Sequence, residues 1–286
     1  MIRKAVLPVA GFGTRFLPAT KAVPKEMLPI LDRPCIDIVV AEAVAAGITE
    51  IVLVTARGKG AIEEYFDRAP ILEASLEAAG KLELLAEVRR VAAMATVVSV
   101  RQHAMRGLGH AVLCAAPAVG SDDFVVILPD DIVDADVPVV GQLLAVHADV
   151  GGVVVALKDV PRADTKRYGI CAGEMVAPDR MRIDRMVEKP RPEEAPSTLS
   201  IVGRYILPNA IFDVLRATPP GANGEIQLTD ALAKMPIAHG HVFSGRHFDT
   251  GNPLGLLDAA LHWALKREDT RAGAAALIAK YGAVKF

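Results

Sequence analysis

Residues 7–29 read L-P-V-A-G-F-G-T-R-F-L-P-A-T-K-A-V-P-K-E-M-L-P, and no other stretch limits the fold as much. Ile2 to Val9 is apolar and β-branched enough for a buried strand, but Gly11 and Gly13 end it. Pro18, Pro24 and Pro29 then each lack a backbone donor and fix φ, so the strand cannot feed a helix directly. It must run into a long, stiff loop carrying Arg15, Lys21 and Lys25. Such a loop suits a polyanion: glycine lets backbone N–H groups approach phosphate oxygens, and fixed cations neutralise the remaining charge. Neither common phosphate loop fits. The dinucleotide fingerprint needs Gly or Ala where this chain has Phe16, and a helix where it has Pro18. No G-x-x-x-x-G-K-[ST] occurs in the loop, which excludes the Walker motif. By itself the run is equally a glycine-rich turn with solvated lysines.

The rest of the chain narrows the ligand. A net charge of -2 over 286 residues gives no basic field for nucleic acid, so phosphate binding must come from a local cluster and the ligand is expected to be small. The length allows one large domain or two small ones. Cys35, Cys114 and Cys171 are odd in number and lack metal-ligand spacing, as expected of buried thiols in a reducing cytosol. The first apolar run is broken at Pro8 and Gly11, and no later run is long enough to cross a bilayer. A cytoplasmic protein without a membrane partner is expected.

Beyond the loop, residues from about Cys35 to Ala46 have helical spacing ending at Gly47, and a strand is expected over 50–55. Helices are expected over 59–66, in a charged stretch over 72–88, and over 109–116; strands over 96–101 and 124–128. Strand and helix in regular alternation imply parallel β-α-β units, with helices on both faces of one sheet. Ligands collect at the carboxyl ends of such strands, so the loops after Val9, Arg101 and Leu128 should meet. In the second of these, Gln102 carries a donor and an acceptor that can match a nucleobase edge, and Gly107 and Gly109 leave room for a flat ring. A surface amide at a loop-to-helix turn would read the same way. In the third, I-L-P-D-D places Asp130 at the end of a buried strand, where a divalent cation would compensate its charge; Asp131 would face away or cap a helix starting near Pro138.

After residue 134 the pattern becomes one of short strands and turns, as in a mixed, partly antiparallel sheet. Glu188 and Lys189 end one such strand in M-V-E-K-P, as a splayed functional pair or a surface ion pair before Pro190. N-G-E-I-Q-L-T-D-A gives a turn at Asn223-Gly224 and a helix, and R-H-F-D-T-G-N-P places Asp249 before a turn. Amphipathic helices over 254–267 and 270–281 close the chain.

In this order, the motifs A-G-F-G-T-R-F-L-P-A-T-K-A-V-P-K-E-M-L-P, Q-x4-G-L-G-H-A, L-P-D-D, R-Y-G, V-E-K-P, V-G-R-Y, N-G-E-I-Q-L-T-D-A and D-T-G-N-P resemble the sugar-1-phosphate nucleotidylyltransferases over nearly the whole chain. The F-L-P-A-T-K form of the loop resembles the bacterial UTP–glucose-1-phosphate uridylyltransferase branch. The resemblance implies an α/β fold: a Rossmann-like, mixed, mostly parallel sheet flanked by helices. It implies a single nucleotidyltransferase domain over 1–286, with a nucleotide half to about 134, a sugar half to about 252 and a C-terminal helical segment. It also implies UTP and glucose 1-phosphate as substrates, UDP-glucose and pyrophosphate as products, and Mg²⁺ as cofactor. Backbone at Ala10, Gly11 and Gly13 would hold the nucleotide, with Gln102 and Gly107 at the uracil. Arg15 and Lys25 would grip the β- and γ-phosphates, and Asp130 and Asp249 would be the metal pair. Glu188 and the backbone near Gly169 and Gly203 would take glucose hydroxyls, and Lys189 would orient the sugar phosphate. The same chemistry with dTTP or galactose 1-phosphate, or a binding subunit without turnover, are the alternatives. The C-terminal helices favour a homo-oligomer, dimer or tetramer. One segment departs from the pattern: L-D-R-P-C-I-D-I puts Cys35, Asp37 and Ile38 at the start of the first helix, where relatives more often have Leu, Gln and an aromatic.

Overall fold

The computed structural model describes residues 1–221 and 224–283. The opening strand β1 (Lys4–Pro8) sends Ala5 and Leu7 into the core on one face and Val6 into the core on the other. Both faces are covered, which is why it reads as an apolar run. The loop after it tightens into 3-10 turns at Thr14–Phe16, Ala19–Lys21 and Lys25–Met27, each kept short by a proline. A small hairpin, β2 (Pro29–Ile30) and β3 (Arg33–Pro34), leads into α1 (Cys35–Ala45). There the departing residue Asp37 is fully buried and accepts from Arg33, one turn back, and from Arg90 at 3.5 Å.

The alternation continues with β4 (Glu50–Thr55), α2 (Gly60–Tyr65), α3 (Pro70–Ala78), α4 (Leu82–Ala92), β5 (Thr96–Arg101), α5 (Leu108–Cys114), α6 (Ala116–Val119) and β6 (Phe124–Ile127). The single helical stretch expected over 72–88 is thus two helices, because Gly80 at φ 67° breaks the run. β4 and β6 flank β1 in parallel, and β5 adds outside β4. Chain order therefore reverses beside β1, which opens a crevice at the carboxyl ends of β1 and β6.

The remaining elements are β7 (Asp131–Asp134), α7 (Val139–Val150), β8 (Val153–Asp159), β9 (Gly169–Ala177), β10 (Arg180–Glu188), β11 (Leu199–Leu207), α8 (Ile211–Ala217), α9 (Leu228–Leu232), β12 (Ala238–Val242), β13 (Arg246–Asp249), α10 (Pro253–Lys266) and α11 (Glu268–Gly282). One nine-stranded sheet runs β5-β4-β1-β6-β11-β8-β12-β10-β9. Its first strands are parallel; β11 joins antiparallel to β6 and β8, and beyond it antiparallel pairs predominate. α1 and α7 cover one face, and α5, α8 and α9 the other. The turn expected at Asn223-Gly224 includes Asn223, outside the described residues. Among the described residues no helix is long and apolar enough to cross a membrane.

Two tertiary links aim the crevice. The strands β7 and β13 form a separate antiparallel ribbon in which Asp131 faces Asp249. Behind it, the fully buried Arg204 of β11 donates to Glu42 of α1 at 2.6 Å and to the Leu128 carbonyl at 3.3 Å. A buried guanidinium without its anion is costly, so Glu42→Gln should lower unfolding free energy by about 2–3 kcal/mol in chemical denaturation. A change below about 0.5 kcal/mol would mean that solvent or another group compensates Arg204.

Candidate active site

The crevice holds two adjoining cavities that share Gly107, Leu108, Leu128, Asp130 and Glu225. The smaller, about 310 Å³, is lined by Ala10, Gly11, Lys25 and Gln102. The larger, about 530 Å³, is lined by Arg15, Gly169, Glu188, Lys189 and Asp249. Ala10, Gly11 and Gln102, expected at the nucleotide, line the smaller cavity, and Gly169 and Glu188, expected at the sugar, line the larger; Gly107 and Asp130 line both, and Arg15, expected at the β- and γ-phosphates, lines the larger.

Gly13 and Gly203 line neither cavity. At φ 65° Gly13 is left-handed, and a Cβ there would stand 3.0 Å from Lys25 Cβ, so glycine lets the lysine stem pack on the loop. Thr20 Oγ1 donates to the Gly13 carbonyl at 2.9 Å and ties the loop to itself. Gly203 was expected to offer its backbone to sugar hydroxyls. Its N–H donates to Asp131 Oδ2 at 3.2 Å and its carbonyl accepts from Leu128 N at 2.8 Å, so its polar groups are already used. A Cβ there would lie 2.5 Å from Asp131 Oδ2.

Of the two placements expected for Asp131, facing away or capping a helix, the cap is not formed. α7 is preceded by Pro138 with no side-chain cap, and the Asp131 carboxylate turns inward, 2.6 Å from His247 Nε2. Burial would raise its pKa, but His247, Arg204 and the Gly203 N–H outweigh that and hold it below the usual carboxylate range. It is an anion fixed by these partners at the wall of the larger cavity, which it helps to line.

Asp130 and Asp249 are brought together by the β7–β13 ribbon and by Thr250, whose N–H and hydroxyl both donate to the Asp130 carbonyl at 2.8 Å. Between them stands Gly251. A Cβ on it would lie 2.9 Å from Asp130 Oδ2, 3.1 Å from Asp249 Oδ1 and 3.5 Å from Arg15 Nη1. The absent side chain leaves a cradle bounded by two carboxylate oxygens and a guanidinium. Lys25 Nζ reaches Asp130 Oδ2 at 2.5 Å. Burial pulls the Lys25 ammonium down, but Asp130, Glu26 and Asp131 more than offset it, so its pKa lies above that of a free lysine and it stays charged. Among the described residues no group of three or more His, Cys, Asp or Glu is placed to hold a metal. A cation in the cradle would complete its shell with phosphate and water oxygens, as Mg²⁺ ordinarily does.

At the far end, Thr229 Oγ1 donates to Glu188 Oε2 at 2.6 Å, and Lys189 Nζ lies 3.1 Å from Glu188 Oε1. On a continuing strand these neighbours would face opposite sides. Lys189 instead adopts φ 45°, its N–H bonded to the Tyr168 carbonyl at 3.0 Å, and the twist delivers both side chains to the same cavity. A left-handed lysine costs on the order of 1 kcal/mol, a strain commonly kept where side-chain direction matters.

Arg167, which donates to Asp249 Oδ2, was not legible as a site residue, nor was Thr229. Their signals were the basic residue before Y-G and the hydroxyl in Q-L-T-D, but neither has a spacing that points at its partner.

Residues 4–265 match the family described as "Nucleotidyl transferase". A UTP--glucose-1-phosphate uridylyltransferase of Staphylococcus epidermidis is 45% identical over 268 residues, 93% of each chain. A solved UTP-bound UGPase from Acinetobacter baumannii superposes with a TM-score of 0.90 at 43% identity, covering 97% of this chain and 99% of that one. A UDP-glucose pyrophosphorylase complexed with UDP-glucose gives 0.84 at 38% identity, covering 93% and 100%.

Proposed function

This chain belongs to the nucleotidyl transferase family, and we propose that it transfers the uridylyl group of UTP to glucose 1-phosphate, giving UDP-glucose and pyrophosphate. The observation that carries this is the single cleft in which the Arg15–Lys25 loop, the Asp130–Asp249 pair and the Glu188–Lys189 pair converge. The named relatives, one UTP-bound and one in complex with UDP-glucose, support the same substrates.

In this reading the smaller cavity takes the nucleoside, with Ala10 and Gly11 against it and Gln102 and Gly107 at the base. The larger takes glucose, with Glu188 held by Thr229 to accept from its hydroxyls and Gly169 leaving room beside them. Gly13 serves the nucleotide indirectly, by seating Lys25. Asp130 and Asp249 fit Mg²⁺, being hard oxygen donors on either side of a cradle. When bound there, the ion would neutralise triphosphate charge and help align it. Arg15 and Lys25 neutralise the β- and γ-phosphates, and Lys189 holds the sugar phosphate. A phosphate oxygen of glucose 1-phosphate attacks the α-phosphorus as the bond to the pyrophosphate oxygen breaks on the opposite side. The attacking oxygen is already anionic, so no general base is required, and the residues act by positioning two polyanions and screening their repulsion. Three free thiols suit a reducing cytoplasm, and the exposed Leu254 and Leu257 of α10 suit contact with a second copy in a homo-oligomer.

Pyrophosphate release should be measured across UTP, dTTP and ATP with glucose 1-phosphate and galactose 1-phosphate. The expected maximum is UTP with glucose 1-phosphate. A preference for dTTP, ATP or galactose 1-phosphate would overturn the assignment, as would UDP-glucose binding without turnover in either direction.

A further inference from the structure

The geometry points to His110 as a positioning residue for base selection: it fixes the Gln102 amide with its NH₂ turned into the protein, so that only the carbonyl oxygen is offered to the base.

Gln102 follows β5 immediately, and its N–H donates to the Thr55 carbonyl at 2.9 Å, so its backbone is pinned to the end of β4. The side chain is buried yet borders the smaller cavity. Its Nε2 lies 3.2 Å from the Gly107 carbonyl and 3.0 Å from His110 Nδ1. A primary amide has two N–H donors, and these contacts use both. Oε1 receives no hydrogen bond from the described residues and is not sealed from solvent, so it is the atom left to the cavity. Gly107 and His110 lie on the first turn of α5 and its cap, which makes the lock a property of the helix start.

The lock requires His110 Nδ1 to be an acceptor, and thus the ring to be neutral with its proton on Nε2. Partial burial and the nearby Arg106 charge both lower the His110 pKa, which favours that form. His110 does not border the cavity and acts only through Gln102.

The consequence concerns which base is accepted. An outward carbonyl takes a hydrogen bond from an imide N3–H, which uracil has. Cytosine is nearly the same size but has a lone pair at N3, which would face Oε1. If the amide could turn over, the NH₂ would meet that lone pair and the rejection would be lost. A site built around one hydrogen-bond polarity rejects the wrong partner far better than one built on shape.

This rests on the placement of Gln102 at the base, and the test separates the two. In the full-length protein, kcat/KM is measured for UTP and CTP at fixed glucose 1-phosphate for His110→Leu, His110→Asn and Gln102→Ala, with thermal unfolding followed for each. His110→Leu should lower the UTP-to-CTP ratio by about tenfold or more with little change in KM for glucose 1-phosphate. His110→Asn, which can place an amide oxygen near the position of Nδ1, should recover most of the ratio. If the leucine variant does not fold, His110→Ser replaces it with the same expectation. A His110→Leu protein that keeps the ratio while Gln102→Ala loses it would overturn the role of His110 and leave Gln102 at the base. Equal loss on both nucleotides would make His110 merely structural. An unchanged ratio in Gln102→Ala would overturn both.

Discussion

Asp130→Asn is expected to lower Mg²⁺-supported turnover by about a thousandfold or more while the protein stays folded. The two side chains are nearly the same shape, and the backbone carbonyl that anchors Thr250 is untouched. The lost charge is one of the two that bound the cradle beside Gly251. The pair with Lys25 is partly exposed, its side chains at 19% and 30% exposure, so its loss should shift unfolding free energy by only about 1 kcal/mol. Pyrophosphate release against metal concentration, with thermal unfolding alongside, provides the check. Near-wild-type turnover at saturating Mg²⁺ would remove Asp130 from the metal site.

The second large effect is expected at Lys189. Lys189→Ala should lower kcat/KM for glucose 1-phosphate by about a hundredfold, with KM for UTP within about threefold of wild type, because the charge is lost only at the sugar end. Alanine tolerates the left-handed backbone no better than lysine, so strain alone would not be relieved. Lys189→Gly separates the causes: it removes charge and strain together, and should be at least as stable as wild type yet equally impaired. Matching losses for UTP and glucose 1-phosphate would instead assign Lys189 to the architecture of the β10 end.

Features written in local periodicity were legible. β4 and β11 fall at the residues expected of apolar strands, because a strand buried on both faces has few polar interruptions to blur it, and the more exposed edge strand β5 also falls at its expected residues. The turn-rich loop after β1 was readable from its prolines. Gly80 was a visible breaker inside a charged helical stretch, but its weight depended on α3 and α4 packing against each other, which is not periodic. The site was legible as residue types at strand ends. What joins them was not. Asp131 read as a carboxylate facing away or a helix cap, and nothing local says that His247 and Gly203 will surround it. Arg167 finds Asp249 across 82 residues, and the β7–β13 ribbon was missed for the same reason. Nor does V-G-R-Y say that the closeness of Asp131 leaves no room for a side chain at Gly203.

The β7–β13 ribbon also sets a schedule. Domains begin to fold from the amino end while the chain is still being made. Strands β1, β4, β5 and β6 can pair early, exposing the glycine loop and Asp130 long before Asp249 exists. Asp131 has no partner strand until residues 246–249 emerge, and Gly251 and Asn252, which bond Asp249, come later still. A ribosome-bound chain halted before that point would present half of a phosphate site and lack the opposing carboxylate, so a stalled product should not catalyse the reaction.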